Sequence, residues 1–291
     1  MGSLGAPRYV EAKVPYQLSN TQVRPGTVGA RRLKTHDVAT RVVDARDVDC
    51  SLDTQGSQIV THPSSLHGED FKDADKVREV LYQEVQDIVR KATGAARVHV
   101  FSHLVRFHSR DDIKPEIDDP SIPDDAISKL TGPARGAHID HSTRGSYQVL
   151  SDNLPEEADR FRNGGKRWAI INFWRPIETV KRDPLCLCDA RTVDEGDLVE
   201  RTVILPNTDA YEHVSKGKVF DLFSARPNPA HEWYYCSNMR PDEGWLLKIF
   251  DSEGGKGGIC GPAPHTSFEL PGEVPKEARR SCEFRTLVFW D

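Results

Sequence analysis

The most regular hydrophobic pattern in the chain lies between Ala74 and Thr93, where apolar side chains recur every three or four residues. Asp73 or Asp75 can accept hydrogen bonds from the free N–H groups at the start of this segment, and Gly94 can close its end. We therefore predict an amphipathic helix whose apolar face packs on the outside of a sheet. The apolar positions are Val77, Val80, Leu81, Val85, Ile88, Val89 and Ala92.

Short β-branched and aromatic runs, separated by turn residues, dominate the rest of the chain. The run from Lys166 to Pro176 has apolar side chains at both alternating sets of positions, which predicts a central strand covered on both faces. Many short strands with one long helix predict a mainly β fold with peripheral helices, built as a β-sandwich or jelly-roll barrel. Further strands are predicted at residues 41–49, 56–62, 96–106, 200–205, 232–236, 245–251, 265–270 and 281–290.

Two segments lack a clear period. Residues 1–35 are rich in Gly, Pro and Arg and predict an N-terminal arm with one edge strand at residues 9–16, followed by a single domain over residues 36–291. The acidic, proline-rich run at residues 111–125 predicts a loop that is either a lid or disordered. A short helix is predicted from Pro155 to Asn163.

Composition narrows the function classes. The 291 residues, 37% of them hydrophobic, suffice for a sizeable core, and the net charge of −6 argues against nucleic acid or an anionic membrane as a partner. The sequence has no apolar run near the ~20 residues of a membrane span, and its first residues lack the hydrophobic core of a signal peptide, so we expect a soluble, cytoplasmic protein. The six scattered cysteines predict ordinary reduced thiols.

The segment from Gly136 to Thr143 carries the first candidate chemistry. Residues i and i+2 of a strand point to the same face, so His138 and Asp140 can reach one point in space. One imidazole and one carboxylate are two members of the facial triad that binds non-haem Fe(II). The pair is equally compatible with a hydrogen-bonded pair on a surface strand, so the prediction of a metal depends on a third ligand downstream.

We identify His265 as the best candidate for the third ligand. It begins a predicted strand directly after a Gly/Pro turn, which would let it pair beside the strand of His138. His213, in a predicted loop or helix edge, and His231, before a Trp-Tyr-Tyr run, are the competing histidines. Both are better explained as surface or packing residues.

The last predicted strand contains a charge that needs a partner. Arg285 lies among β-branched and aromatic residues, where a cation that faces the core is costly unless it is paired. A guanidinium binds a carboxylate through two parallel hydrogen bonds, so Arg285, with Arg279 as second candidate, is a predicted carboxylate-binding residue. A salt bridge to Glu283 on the same strand face is the alternative.

Seven short motifs occur in this order: Ala137-His-Ile-Asp140, Asn172-Phe-Trp-Arg-Pro176, Pro184-Leu-Cys-Leu-Cys-Asp-Ala-Arg191, Trp233-Tyr-Tyr, Trp245-Leu-Leu-Lys-Ile-Phe-Asp-Ser252, Pro264-His-Thr-Ser-Phe268 and Arg280-Ser-Cys-Glu-Phe-Arg285. Together they resemble the fungal hydroxylase/desaturase family of biosynthetic gene clusters, which is related to gibberellin desaturase and to a cephamycin methoxylation protein. The resemblance runs from about residue 40 to the C-terminus. It implies a double-stranded β-helix, a cupin-like barrel, with Fe(II) on His138, Asp140 and His265 and 2-oxoglutarate anchored by Arg285 or Arg279. Relatives more often have a tyrosine where this chain has His141.

The resemblance implies an Fe(II)/2-oxoglutarate-dependent oxygenase that uses O2 to hydroxylate, desaturate or cyclise a small-molecule intermediate of secondary metabolism. Two alternatives stay open: a zinc hydrolase on the same ligands, although the sequence has no His-Glu-x-x-His motif, and a barrel that binds a metal or metabolite without catalysis. A homodimer is kept open as an assembly state. Candidate substrate-contacting residues, each also a candidate for packing, are Arg106, Trp174, Arg175, Tyr234 and the 111–125 loop.

Overall fold

Two sheets make up most of the fold in the computed structural model, which describes residues 7–18, 24–163, 165–204, 219–273 and 275–290. One sheet has eight strands in the order β1-β2-β10-β7-β12-β5-β9-β8, and the other has five in the order β3-β11-β6-β13-β4. The strands are β1 (Tyr9–Gln17), β2 (Thr35–Asp44), β3 (Ser57–Thr61), β4 (Arg97–Arg106), β5 (His138–Ile139), β6 (Trp168–Pro176), β7 (Leu185–Cys188), β8 (Leu198–Ile204), β9 (Val219–Ala225), β10 (Trp233–Tyr235), β11 (Glu243–Asp251), β12 (His265–Ser267) and β13 (Ser281–Phe289).

The five-stranded sheet is organised around β6. This strand pairs with β11 on one side and β13 on the other, and every one of its nine residues is buried. The prediction of a central strand is confirmed, because apolar side chains on both faces of β6 find cover on both sides of the sheet.

The predicted long helix covers the outer face of this sheet. It is α2 (Ala74–Thr93), with the Asp73 side chain accepting from the N–H groups of Asp75 and Lys76 and with Gly94 ending it at φ +66°. The cap residue is glycine because a left-handed backbone is strained for other residues. The face that packs against β4, β6 and β13 consists of Val77, Leu81, Val85, Ile88 and Val89.

A second apolar layer fills the space between the two sheets. Trp168, Ile170 and Trp174 of β6 meet Leu187 of β7 and Ile139 of β5 there. The architecture is the predicted mainly β jelly-roll class, with two packed sheets and helices outside. Since β5 and β12 are central neighbours in the eight-stranded sheet, residues at 138 and 265 are brought together despite their separation in sequence.

The predicted edge strand is β1, which pairs with β2 along its whole length at the end of the large sheet. The domain boundary at residue 36 stays a prediction.

The helices include several that the sequence pattern did not reveal. The described residues form α1 (Val28–Arg32), α3 (Arg110–Asp118), α4 (Thr143–Asn153) and α5 (Pro155–Arg162) besides α2. Of these four, only α5 was predicted.

The expected loop at residues 111–125 is wrong for its first half, which is helix α3. Ser109 caps this helix: its hydroxyl accepts from the Asp112 N–H at 3.1 Å, while the Asp112 carboxylate accepts from the Ser109 N–H at 2.7 Å. Ile113 is buried against the rest of the domain. Pro115 has no N–H and so costs the helix one backbone hydrogen bond. The capping box and the burial of Ile113 stabilise the helix enough to offset that loss.

Candidate metal centre and its cavity

Strands β5 and β12 place two histidines directly opposite each other. His138 and His265 are Cα partners in the antiparallel ladder, and their ring centroids lie 4.5 Å apart. Asp140 follows β5 by one residue and faces both rings. The position expected from the sequence for His265, on a strand beside that of His138, is therefore observed.

Local backbone geometry orients both imidazoles. His138 Nδ1 lies 2.8 Å from the carbonyl oxygen of Gly136, and His265 Nδ1 faces the carbonyl oxygen of Ala263 at 3.5 Å. A ring that donates its Nδ1–H to a carbonyl presents the lone pair of Nε2 on the opposite side. Gly136 itself has φ +105°, and a Cβ there would lie 2.6 Å from the Gln17 side chain, so this bend requires glycine.

The three side chains converge on one point. Asp140 Oδ1 lies 3.4 Å from His138 Nε2 and 3.8 Å from His265 Nε2, and the three candidate ligand atoms all lie within 4.8 Å of one another. Ligand atoms that bind a first-row metal at about 2.1 Å on one face of an octahedron are about 3 Å apart. Movements of less than about 1 Å would therefore suffice for these atoms to bind a metal ion.

The second carboxylate oxygen of Asp140, Oδ2, is hydrogen-bonded on the side away from the histidines. Asp140 Oδ2 accepts hydrogen bonds from Asn172 Nδ2 at 2.8 Å and from Arg285 Nε at 3.1 Å. Asn172 and Arg285 are Cα partners on β6 and β13. Glu283 joins the same network, with its Oε1 2.9 Å from Asn172 Nδ2 and 3.5 Å from the Arg285 guanidinium. These contacts leave Oδ1 pointing at the histidines.

The electrostatics of the site favour the metal-ligating protonation states of Asp140 and His265 and attract positive charge to the Asp140 carboxylate. Burial alone would raise the pKa of Asp140, but Arg285 and the two histidines outweigh it and hold this pKa well below the ordinary value. Burial, helped by His138, lowers the pKa of His265 to about 3, so its imidazole is neutral. Burial would lower the pKa of His138 as well, but the contact with Asp140 raises it overall, which shows that the site favours positive charge beside this carboxylate.

His141 lies next to the centre without a hydrogen bond. The side chain is buried, and in the described structure neither ring nitrogen has a partner. Its ring packs against Phe220 with 5.0 Å between centroids and against Phe101 at 6.5 Å. Burial lowers its pKa to about 4, so the imidazole is neutral.

A cavity of about 430 Å³ opens onto His138, Asp140 and His141, while His265 is buried next to them and does not belong to the lining. Its walls are largely apolar, and α3 contributes one of them. Five arginines also line the cavity: Arg31, Arg106, Arg110, Arg135 and Arg285. Apolar lining residues include Leu33, Leu104, Ile113, Ile117, Ile127, Leu130, Phe220 and Leu222.

The predicted substrate-contacting residues are only partly at this cavity. Arg106 lines it, whereas Trp174, Arg175 and Tyr234 do not. Trp174 belongs to the core between the sheets, and the Tyr234 hydroxyl is hydrogen-bonded to Asp189 inside the fold. These three side chains therefore lie outside the cavity lining, and a substrate contact by them stays a prediction.

Arg175 is displaced from the cavity by strand alternation. It follows Trp174 on β6 and therefore points to the outer face, where its guanidinium contacts the carbonyl oxygens of Pro241 and His62.

The two predicted carboxylate-binding arginines differ in position. Arg285 lines the cavity, while Arg279 is buried away from the lining and donates to the Asp183 carbonyl oxygen at 2.7 Å. Burial, followed by the nearby Arg106, lowers the pKa of Arg279 to about 9. The Glu283 contact that the sequence offered as an alternative partner for Arg285 is present together with the Asp140 contact.

His231 is accounted for by packing. It is buried, with Nε2 3.1 Å from the Asp197 carboxylate and Nδ1 3.0 Å from the Tyr16 hydroxyl. His213 lies outside the described residues.

Sequence reasoning missed Asn172 and Arg110. Asn172 could have been found as the one polar side chain on an otherwise aromatic and aliphatic face of β6. The spacing of Ser109 and Asp112 is a local capping signal for helix α3, but it does not show that Arg110 faces the cavity.

A family profile described as "YDMC: Oxidoreductase/YMDC permease-like domain" matches residues 7–289. In the residues that the structure describes, no helix combines the length and apolar character needed to cross a membrane.

Curated relatives are similar over nearly the whole chain. The hydroxylase/desaturase efuI of Hormonema carpetanum is 37% identical over 93% of this chain and 90% of its own length. The alpha-ketoglutarate-dependent dioxygenase tstK of Talaromyces stipitatus is 32% identical over 82% of this chain and 80% of its own. The gibberellin cluster GA4 desaturase of Gibberella fujikuroi is 30% identical over 87% of both chains.

Among solved structures, a variant of the iron and alpha-ketoglutarate-dependent endoperoxidase NvfI superposes with a TM-score of 0.71. The two chains are 23% identical, and the match covers 97% of this chain and 99% of that one. This likeness confirms the predicted jelly-roll fold.

Proposed function

This chain belongs to the oxidoreductase family that includes the fungal hydroxylase/desaturases and alpha-ketoglutarate-dependent dioxygenases of biosynthetic clusters, and we propose that His138, Asp140 and His265 hold its Fe(II). It is a non-haem iron, 2-oxoglutarate-dependent dioxygenase that oxidises a small molecule of secondary metabolism. The observation that supports the ligand assignment is the convergence of two imidazoles and one ionised carboxylate beside a cavity that His138 and Asp140 line. This donor set suits Fe(II) and leaves coordination positions open.

Bound iron, together with 2-oxoglutarate and O2, supplies the oxidising chemistry. The residues of the chain orient the metal ligands and exclude water from the site. Asn172 and Arg285 fix the Asp140 carboxylate, the carbonyl oxygens of Gly136 and Ala263 set the histidine rings, and the apolar walls of the cavity keep water from the reacting carbon.

For the far carboxylate of 2-oxoglutarate we propose Arg285 before Arg279. Arg285 lines the cavity beside His138 and Asp140, whereas Arg279 lies outside the lining. The KM for 2-oxoglutarate decides between them: it should rise more in Arg285→Gln than in Arg279→Gln. The reverse order would assign the carboxylate to Arg279.

The ligand assignment is tested by replacing His265. We expect His265→Ala to abolish Fe(II)-dependent formation of succinate from 2-oxoglutarate, while the exposed-residue control His36→Ala retains it. Circular dichroism establishes that each variant is folded. Normal turnover in folded His265→Ala would reject the triad.

The two alternatives are tested on the wild-type chain. Substrate hydrolysis with zinc, together with no O2 consumption after anaerobic loading with Fe(II), would indicate the hydrolase. Binding of 2-oxoglutarate without succinate formation would indicate a non-catalytic barrel. A cytoplasmic location and a homodimer stay proposals.

A further inference from the structure

The arginines that line the cavity differ in whether their guanidinium groups have hydrogen-bond or ion-pair partners within the protein. Arg31 and Arg106 donate to the carbonyl oxygens of Leu130 and Gly132. Arg135 is paired with acidic residues, and Arg285 contacts Asp140.

Arg110 is the exception. Among the described residues, no hydrogen bond or ion pair of its side chain is observed, although the residue is half-buried and lines the cavity. A half-buried guanidinium that has lost part of its hydration without gaining a partner is costly, so the position favours an incoming anion.

The charges around Arg110 lead to the same conclusion. Burial, and next the positive charge of Arg135, lower the pKa of Arg110, while the acids nearby act more weakly in the opposite direction. Two of these acids already have partners: Asp183 binds Arg135 and Arg182, and Glu269 binds Arg135. A third, Asp37, is exposed, accepts from the Thr35 hydroxyl and makes no ion pair with Arg110. The described protein therefore leaves an electropositive position at this wall.

The same helix face continues as an apolar surface. Arg110, Ile113 and Ile117 are spaced i, i+3 and i+7, which places them on one side of α3, and all three line the cavity. Ile127 and Leu130 extend the apolar wall beyond the helix. A ligand that lies along this wall would meet hydrocarbon first and a guanidinium at one end.

We propose that the organic substrate is a carboxylic acid whose carboxylate binds Arg110 and whose apolar skeleton lies along Ile113, Ile117, Ile127 and Leu130. The proposal rests on the proposed function, because it assigns the ligand of the same cavity. The volume of about 430 Å³ suits a molecule of drug-like rather than macromolecular size.

Paired probes test the charge requirement. The full chain, loaded anaerobically with Fe(II) and 2-oxoglutarate, is titrated with 4-(1-pyrenyl)butanoic acid and with 4-(1-pyrenyl)butanol. Decanoic acid and decanol are then compared as competitors. We expect each acid to bind about tenfold to a hundredfold more tightly than its alcohol, the range for a charge-assisted hydrogen bond. Equal binding within both pairs, or no binding of either acid, overturns the proposal.

Variants test whether Arg110 causes the tighter binding of the acids. Arg110→Gln should remove the advantage of the acids, and Arg110→Lys should retain part of it because the charge is kept. Lys114→Gln is the matched control on the same helix, since Lys114 is exposed, pairs with Asp118 and is absent from the cavity lining; the acids should keep their advantage there. An advantage that persists in Arg110→Gln contradicts the assignment.

The carboxylate of 2-oxoglutarate is the other possible source of the anion. The KM for 2-oxoglutarate in Arg110→Gln distinguishes the two: a rise as large as the loss of acid binding assigns Arg110 to the cosubstrate and overturns the proposal. The proposed function fails separately, by absence of succinate formation in the wild-type chain, and the probe comparison remains decisive in that case.

Discussion

Among the buried charge clusters of the described residues, two are completed in different ways. In the first, Lys248 and Arg167 meet Asp251 and Asp53: Lys248 Nζ lies 3.1 Å from Asp251 and 3.2 Å from Asp53, and Arg167 contacts the same two carboxylates at 2.6 and 2.7 Å. Two cations balance two anions. This cluster lies outside the cavity lining and requires no external partner.

In the candidate metal centre, by comparison, the positive and negative charges do not balance. Two carboxyl groups, Asp140 and Glu283, share one guanidinium from Arg285, the imidazole of His265 is neutral, and the Asp140 contact raises the pKa of His138. Burial raises the pKa of Glu283, and the lowering by Arg285 does not cancel this effect, to which Asp140 adds. A cation at the convergence point would correct this shortage of positive charge. Charge balance therefore distinguishes a buried polar cluster that stabilises the fold from one that binds a cationic ligand.

The largest stability effect should come from the balanced cluster. Asp251→Ala removes the fully buried carboxylate that faces both Lys248 and Arg167, and leaving buried cations uncompensated costs about 3–5 kcal/mol. Urea denaturation measures this loss. The control Asp53→Ala, whose side chain is 56% exposed, should cost less than about 1 kcal/mol. Equal losses in both variants would mean that the cluster is not a structural unit.

The unbalanced centre should respond to metal instead. Co(II), or Fe(II) under anaerobic conditions, at a hundred times its dissociation constant should stabilise the wild-type protein by about 2.7 kcal/mol. The same increment is expected in Asp251→Ala, and none is expected in Asp140→Ala. Thermal denaturation with and without metal checks both. Stabilisation that survives in Asp140→Ala would place the bound metal elsewhere.

The hydrogen bond from Asn172 should affect metal affinity more than it affects folding. Asn172→Ala removes one of the two donors to Asp140 Oδ2, and loss of such outer contacts weakens metal binding by about tenfold to a hundredfold. Titration with Co(II), followed by its visible absorption, measures the change. Thr286→Val is the matched control, because Thr286 bonds to Ile171 on the opposite face of the same strand pair. A Co(II) affinity equal to that of the control would contradict a positioning role for Asn172.

The smallest expected effect concerns His141. Its two ring nitrogens are buried without partners, so His141→Phe should raise the free energy of unfolding by about 1 kcal/mol. The control His231→Phe should lower it, because both nitrogens of His231 have partners. Urea denaturation measures both changes. Destabilisation by His141→Phe would indicate that its imidazole has a partner in solution.

Much of the fold followed from sequence because the relevant signals are local. Helix α2 has a complete apolar face, an aspartate cap and a closing glycine within one segment, and its bounds matched the prediction. Strand β6 has two apolar faces within nine residues. The His138 and Asp140 pair is likewise local, since strand geometry alone puts the two side chains on one face. In each case the residues that determine the local structure are close together in the sequence.

Only the tertiary structure decided what depends on distant segments. The pairing of β5 with β12 brought His265 to His138, and the pairing of β6 with β13 put Asn172 and Arg285 behind Asp140. The local capping box starts helix α3 at Arg110–Asp118, and packing against the domain places Arg110 of this helix at the cavity. Residue types and local periodicity specify which groups are available and which face they occupy. Which of those faces meet is decided by strand order and by burial, and these are properties of the whole chain.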